Sequence, residues 1–150
     1  GIHSTAHCYN NCFLRVFHNK FNLFTRKVYN LNMSKSMLLE NYARKITDIA
    51  SENLGEEIVL FDTGEISLFS EFSILITGQT DRHLESLSQK IMREMKKNGK
   101  KIHHKEGTGK TGWILLDYFG LCVHILLDEK RNNYDLESLW SSAREIVRIH

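Results

Sequence analysis

Gly109-Lys110-Thr111 is the first cluster that could do chemistry. A glycine loop ending in Lys-Thr can cradle phosphate with its amides while the lysine meets the charge. The Leu115-Leu116-Asp117 run downstream resembles a strand presenting a magnesium-binding carboxylate. The spacing fails, because that loop needs a further glycine five residues before Gly109 and His104 stands there. The context fails too: a helix must follow, so that its N-terminal amides face phosphate, and here a strand-like run follows. Asp62 and Asp117 each end an apolar run and could hold a metal for phosphoryl transfer. Each is equally a strand terminator.

The histidines and cysteines give no better case for catalysis. His103 and His104 are adjacent, so a strand would send them to opposite faces. His83 falls on a helical pattern, and His124 sits in an apolar strand, where a lone histidine is more often structural than a ligand. Cys8 and Cys12, beside His3 and His7, raise zinc, but a structural site needs a second pair and the remaining cysteine is Cys122. No Ser, Cys or Asp is spaced beside a histidine as a nucleophile beside its base.

The elements that position these residues fit in one domain. The chain has 150 residues, 41% hydrophobic and 25% charged, enough to bury a core without disulfides. Three cysteines are too few for a disulfide scaffold and fit a reducing compartment. No run approaches the roughly 20 apolar residues of a membrane-spanning helix. Residues 1–33 carry four basic side chains and no acid, so residues 34–150 stand at −2 although the whole chain is +2. That balance disfavours a broad RNA-binding surface and permits a basic protein partner. We read residues 1–33 as a basic tail (leader, upstream or appended sequence) and residues 34–150 as the domain, with Met33 a candidate start. Phe13, Phe17, Phe21 and Phe24 recur at helical spacing in the tail, as in a transit peptide or surface-seeking helix, although Arg and Ser are sparse for a transit peptide.

Along the domain, the 3.6-residue period of Leu39, Tyr42, Ala43, Ile46, Ile49 and Ala50 predicts a helix over 36–53, stopped by Gly55. Ile58–Phe61 and Phe72–Thr77 read as strands. Thr80 or Asp81 caps a second helix whose apolar face is Leu84, Leu87, Ile91, Met92 and Met95, and Lys96, Lys97, Lys100 and Lys101 sit near its negative end. A strand near 101–105 leads through Gly107, Gly109 and Gly112 to a hairpin of 113–117 and 121–127 that turns at Gly120. A last helix is predicted from Asp135, with Leu136, Leu139, Trp140, Ala143, Ile146 and Val147 inward. The order implies one mixed sheet with helices packed on it.

Several ordered motifs carry a resemblance. Phe72–Gly78 followed by Asp81-Arg82-His83 resembles D-Y-F-V-I-x-T-G-x-S-x-R-H. Glu106-Gly107, then Gly112-Trp113 through Asp117, resembles E-G-x-x-x-x-G-W-x-L-x-D, and Val123-His124, Arg131, Tyr134 and Leu136–Trp140 resemble V-H, R-x-x-Y and L-E-x-L-W. Over residues 38–143 the chain resembles the ribosomal silencing factors, also called Iojap. The turn Tyr118-Phe119-Gly120-Leu121 departs from them in being apolar where the family is acidic.

The resemblance implies an α/β (α+β) fold related to nucleotidyltransferases, with a mixed five-stranded sheet flanked by helices. It does not imply their activity, since the Gly-Ser and Asp-x-Asp of those enzymes are missing: Gln79 follows Gly78, and neither Asp62 nor Asp117 has a partner two residues away. It implies a non-enzymatic translation repressor, without cofactor or metal. Such a protein binds the large ribosomal subunit through ribosomal protein L14 and blocks joining with the small subunit. Organellar relatives help to mature the large subunit, and a nucleotide-binding or nucleotidyl-transferring enzyme is the rival from another class. The expected partner-binding residues are Trp113 as the aromatic centre, Tyr118 beside it, Asp117 as an acceptor for Arg or Lys, and Glu106 and His124. Core packing stays open for Trp113, and Trp140 reads as core. No membrane or sequence-specific nucleic-acid contact is expected, and a homodimer of the free protein stays open. The expected location is the cytoplasm, or the mitochondrial matrix or plastid if residues 1–32 are a transit peptide.

Overall fold

The structure, a computed structural model, describes residues 30–150. The tail's Phe spacing and the Cys8/Cys12 cluster lie outside the described residues. Residues 38–150 form one compact unit, and the described residues that precede it, 30–37, are helical. Helix α1 covers residues 30–52, starting earlier than its apolar period predicts. Leu39, Ala43, Ile46, Ile49 and Ala50 are buried along it, and Gly55 closes it by donating its N–H to the Ala50 carbonyl at 2.8 Å.

Strands β1 (Glu56–Asp62) and β2 (Ser70–Gly78) form an antiparallel pair. Helix α2 (Asp81–Lys97) then crosses back, capped by the Thr80 hydroxyl on the His83 N–H, with Leu84, Leu87, Ile91 and Met95 inward. Lys96 and Lys97 lie in its last turn, facing the helix dipole. Strand β3 (His104–Thr108), a short 3-10 turn (Gly109–Thr111), β4 (Trp113–Asp117) and β5 (Gly120–Leu127) follow as antiparallel neighbours. β5 pairs parallel with β2, so the α2 crossover connects parallel strands.

The mixed sheet has six strands, ordered β3-β4-β5-β2-β1-β6, rather than five. The extra strand, β6 (Arg144–Ile149), corrects the predicted last helix. The apolar period from Leu136 produces only the four-residue α4 (Leu136–Leu139), capped by Asp135, and the helix α3 (Asp128–Tyr134) that precedes it lies outside that prediction. Past Ala143 the β-branched Val147 and Ile149 pair with Leu60 and Ile58 on the otherwise open edge of β1, whose free N–H and C=O groups favour strand over helix.

The two faces of the sheet are unequal. On the inner face, α1 and α2 bury Ile58, Leu60, Ile74, Ile76, Ile114, Leu116, Val123 and Ile125 in the principal core. On the outer face, Leu136, Trp140 and Ala143 cover a smaller cluster of Val59, Phe61, Leu75 and Leu126. That cover extends over β1, β2 and β5, and the half built by β3 and β4 is left more open.

Candidate protein interface

Register places most of the expected contact residues on the outer face. One row crosses five strands, Glu106–Leu115–His124–Leu75–Val59. A parallel row runs His104–Asp117–Cys122–Ser73–Phe61, and a third holds Thr108, Trp113, Leu126 and Thr77. Because strand side chains alternate, Trp113, Leu115 and Asp117 of β4 share this face. Trp113, Leu115, Asp117, Cys122 and His124 are partly exposed there, and Glu106 is exposed on the edge strand.

Tyr118 is the exception and is corrected here. It is the next residue after Asp117, so its ring turns to the inner face, where it is 0% exposed among core residues. Burial pushes its hydroxyl pKa up to about 12. The exposed aromatic of that turn is Phe119, at 64%.

Trp113 belongs to a chain of rings on the outer face. Its centroid lies 5.0 Å from Tyr134 and 5.8 Å from His124; His124 lies 5.4 Å from Trp140, and Trp140 lies 5.8 Å from Phe61. Enclosed by these rings, His124 has its pKa pushed down to about 4 by burial, so at neutral pH it adds no charge to the surface. Trp113 Nε1 and His124 Nδ1 are both buried without a hydrogen-bond partner among the described residues. Beside Trp113 opens a cleft of about 480 Å³ bounded by Glu106, Gly107, Leu115, Lys130 and Tyr134. Burial also raises the pKa of the neighbouring Cys122 thiol, with Asp117 adding to the shift.

The motif residues around the cleft build it. At Gly107 the backbone has φ +77°, and a Cβ would stand 2.0 Å from the Trp113 carbonyl oxygen, so only glycine lets β3 lie against the start of β4. Arg131, buried at 7% exposure, ties α3 to the sheet. It donates to the Glu57 carbonyl, to Thr77 Oγ1 at 2.9 Å and to Glu137 Oε1 at 2.7 Å. The R-x-x-Y and L-E motifs are thereby explained as the clamp that sets Tyr134 beside Trp113. His83 is likewise structural: Nδ1 accepts the Gln79 N–H at 3.1 Å and Nε2–H donates to the Asn53 carbonyl at 2.9 Å.

The candidate phosphate loop is already occupied. The Gly109 N–H donates to the Glu85 carboxylate at 2.8 Å, and Lys105 pairs with the same carboxylate at 3.1 Å. These two contacts, the amide first, lower the Glu85 pKa. An amide bonded to a carboxylate is not free to cradle phosphate, and the 3-10 turn leads into β4 rather than a helix. Asp62 and Asp117 lie at the same end of the sheet, separated by three strand spacings, about 14 Å, far beyond the roughly 4 Å of a two-metal site. Asp62 pairs with Arg144 at 3.0 Å and Asp117 accepts the Phe119 N–H at 2.8 Å, so each acts as the terminator it resembles. Among the described residues, no three His, Cys, Asp or Glu side chains are grouped to hold a metal, and no helix is long and apolar enough to cross a membrane.

The sequence reading passed over Leu115, Cys122 and Lys130. Counting in twos from Trp113 would have found Leu115. Cys122 and Lys130 needed the β4–β5 register and the docking of α3.

Comparison with known proteins gives the family. Residues 37–150 match the family described as "Ribosomal silencing factor during starvation". A ribosomal silencing factor RsfS from Chromobacterium violaceum is 29% identical over 105 residues, covering 67% of this chain and 86% of that protein. A mouse protein named for mitochondrial assembly of the ribosomal large subunit is 25% identical over 76 residues, 49% of this chain and 33% of that one. A crystal structure of a Chromobacterium violaceum protein superposes with a TM-score of 0.66 at 23% identity, over 75% of this chain and 92% of that chain, and shares the fold. The relatives are named as silencing or assembly factors, not as enzymes. With the family match spanning residues 37–150, which include all six strands, the chain belongs to the ribosomal silencing factor family.

Proposed function

We propose that the protein is a non-enzymatic translation repressor that docks on the large ribosomal subunit through ribosomal protein L14 and excludes the small subunit by occupancy. The observation that carries this reading is the open half of the outer face. There the half-buried Trp113 is flanked by Leu115 and Tyr134, with Glu106 on the edge strand and Asp117 at the far end of β4. An aromatic anchor in a partly desolvated cleft, with the Glu106 carboxylate on its rim and Asp117 further along the face, suits a basic protein surface: the ring supplies affinity and the acids supply encounter rate and register. Family membership supplies the ribosomal context. Trp113, Asp117, His124 and Glu106 are the contact set, with His124 acting through the orientation of Trp113 and Tyr118 supporting the turn from within. No nucleotide, metal or cofactor enters the mechanism. The site of action is the cytoplasm, or an organelle if the basic tail serves as a transit peptide.

The test is co-sedimentation of the full chain with purified large subunits. Trp113→Ala should weaken binding about 30-fold, the equivalent of about 2 kcal/mol. Glu106→Lys, on an exposed edge where the fold does not depend on it, should weaken it several-fold at low salt and less at high salt. Unchanged binding in both variants would remove this face from the mechanism. The name of the mouse relative favours a second reading, a large-subunit assembly factor acting at the same face. Immature large subunits accumulating on depletion in rich medium would move that reading ahead.

A further inference from the structure

We propose that two hairpin tips at one end of the sheet form a second docking surface, which takes a basic protein segment carrying apolar anchors. The first tip, between β1 and β2, exposes Leu68 at 99%, Phe69 at 89% and Ile66 at 44%; the second, between β4 and β5, exposes Phe119 at 64%. Ser70 and Gly120 are register partners, so Phe69 and Phe119 leave the sheet on adjacent strands, one strand spacing of about 5 Å apart.

Both tips are held in shape. Ser67 Oγ accepts the N–H groups of Phe69 and Ser70 at 3.2 Å each, Thr63 Oγ1 donates to the Ser70 carbonyl at 3.0 Å, and the Ser67 N–H donates to the Thr63 carbonyl at 2.8 Å. Phe119 is pinned by the Asp117 carboxylate on its N–H and by His103 stacked on its ring at 3.7 Å. The usual loop is reversed here, with hydroxyls turned inward and large apolar groups outward. Exposed apolar groups in a fixed arrangement mark a contact surface.

Charge selects the occupant. From residue 46 to 81, and again from 111 to 127, the chain has no Lys or Arg, whereas Glu65 and Glu71 flank the first tip and Asp117 precedes the second. Arg144 of β6 reaches the first tip beside Glu65 and Ile66, but its charge is matched by Asp62 at 3.0 Å. An anionic lipid surface or RNA would meet these carboxylates unfavourably, and a symmetric pairing of two copies would bring like charges together. A segment with Leu or Phe anchors between Lys or Arg side chains satisfies both the apolar tips and the rim. The tips lie at the opposite end of β4 from Trp113, about 13 Å away, and Asp117 is the residue that borders both surfaces.

The test is fluorescence anisotropy of the full chain with a labelled 18-residue Leu/Lys amphipathic peptide, and with a Leu/Glu peptide of identical apolar face. The Leu/Lys peptide should bind saturably. Leu68→Ser with Phe69→Ser should weaken it at least tenfold, Glu65→Lys several-fold, and Trp113→Ala should leave it unchanged. Equal binding of the Leu/Glu peptide would overturn the proposal, as would peptide binding indifferent to all the tip variants. So would a tip-dependent affinity for vesicles with 30% phosphatidylglycerol, or a tip-dependent self-association in sedimentation velocity. Large-subunit binding by the tip variants, read separately, keeps this outcome distinct from that of the Trp113 cleft.

Discussion

Acidification should destabilise the domain through His124 before any carboxylate takes part. The imidazole titrates near 6.5 when unfolded and is held to about 4 in the fold, between Trp113 and Trp140. Above pH 6.5 both states are neutral and the residue contributes no pH dependence. Between 6.5 and 4 the unfolded chain binds a proton that the folded chain refuses, so stability falls as pH drops; below about 4 both states are protonated and the loss is complete. At pH 5 the loss works out at about 2 kcal/mol, or about 8 °C in melting temperature for a domain of this size. Glu85 and Glu145, whose pKa values are lowered by their hydrogen bonds from Gly109 and Arg148, destabilise as pH falls below the ordinary 4.5, overlapping the His124 window only at its acid end and lying below pH 5. Urea denaturation at pH 8, 6.5, 5.5 and 5 measures the effect. His124→Phe keeps a ring between the tryptophans and removes the titration, so its stability should lose about 2 kcal/mol less than the parent between pH 8 and 5. Parallel curves for parent and variant, or an imidazole titrating near 6.5 by NMR, would refute the enclosure of His124 and with it the packed aromatic chain.

Other expectations follow from single contacts. Gly107→Ala should cost more than about 2 kcal/mol in urea denaturation, because the residue sits at φ +77° against the Trp113 carbonyl, and should weaken large-subunit binding by shifting Trp113. Arg131→Met should cost about 3–5 kcal/mol, since it strands the Glu137 carboxylate and the Glu57 carbonyl; adding Glu137→Gln should recover part of that loss in a double-mutant cycle. Lys110→Ala should change stability by less than about 0.5 kcal/mol, and calorimetry of the parent with magnesium and ATP should show no saturable heat, because the Gly109 amide already serves Glu85.

How far the sequence discloses this arrangement depends on the range of the interaction concerned. Local signals were sufficient for α2, where Thr80 caps and the Leu84–Met95 stripe faces inward, and for the β4–β5 hairpin turning at Gly120. They misled at 144–149, where a run of helical apolar spacing continued past Ala143. There the deciding interaction was the open edge of β1, more than 80 residues away in the chain. The same limit applies to the site. Alternation along β4 separates Asp117 from Tyr118, although the two are neighbours in sequence and both are expected contact residues. Arg131 was visible only as a motif letter, since its partners Glu57, Thr77 and Glu137 come from three other elements. The motif spelling located the family while leaving open which letters contact a partner and which hold the cleft in shape.

Occupancy of the joining face is tested most directly by subunit joining. Purified large and small subunits are mixed in joining buffer with increasing amounts of the full chain, and assembled ribosomes are separated from free subunits by gradient sedimentation. The account predicts free subunits rising in proportion to bound protein, with Trp113→Ala inactive at the concentration where the parent is half-effective. Stoichiometric binding to the large subunit with joining undiminished would contradict it.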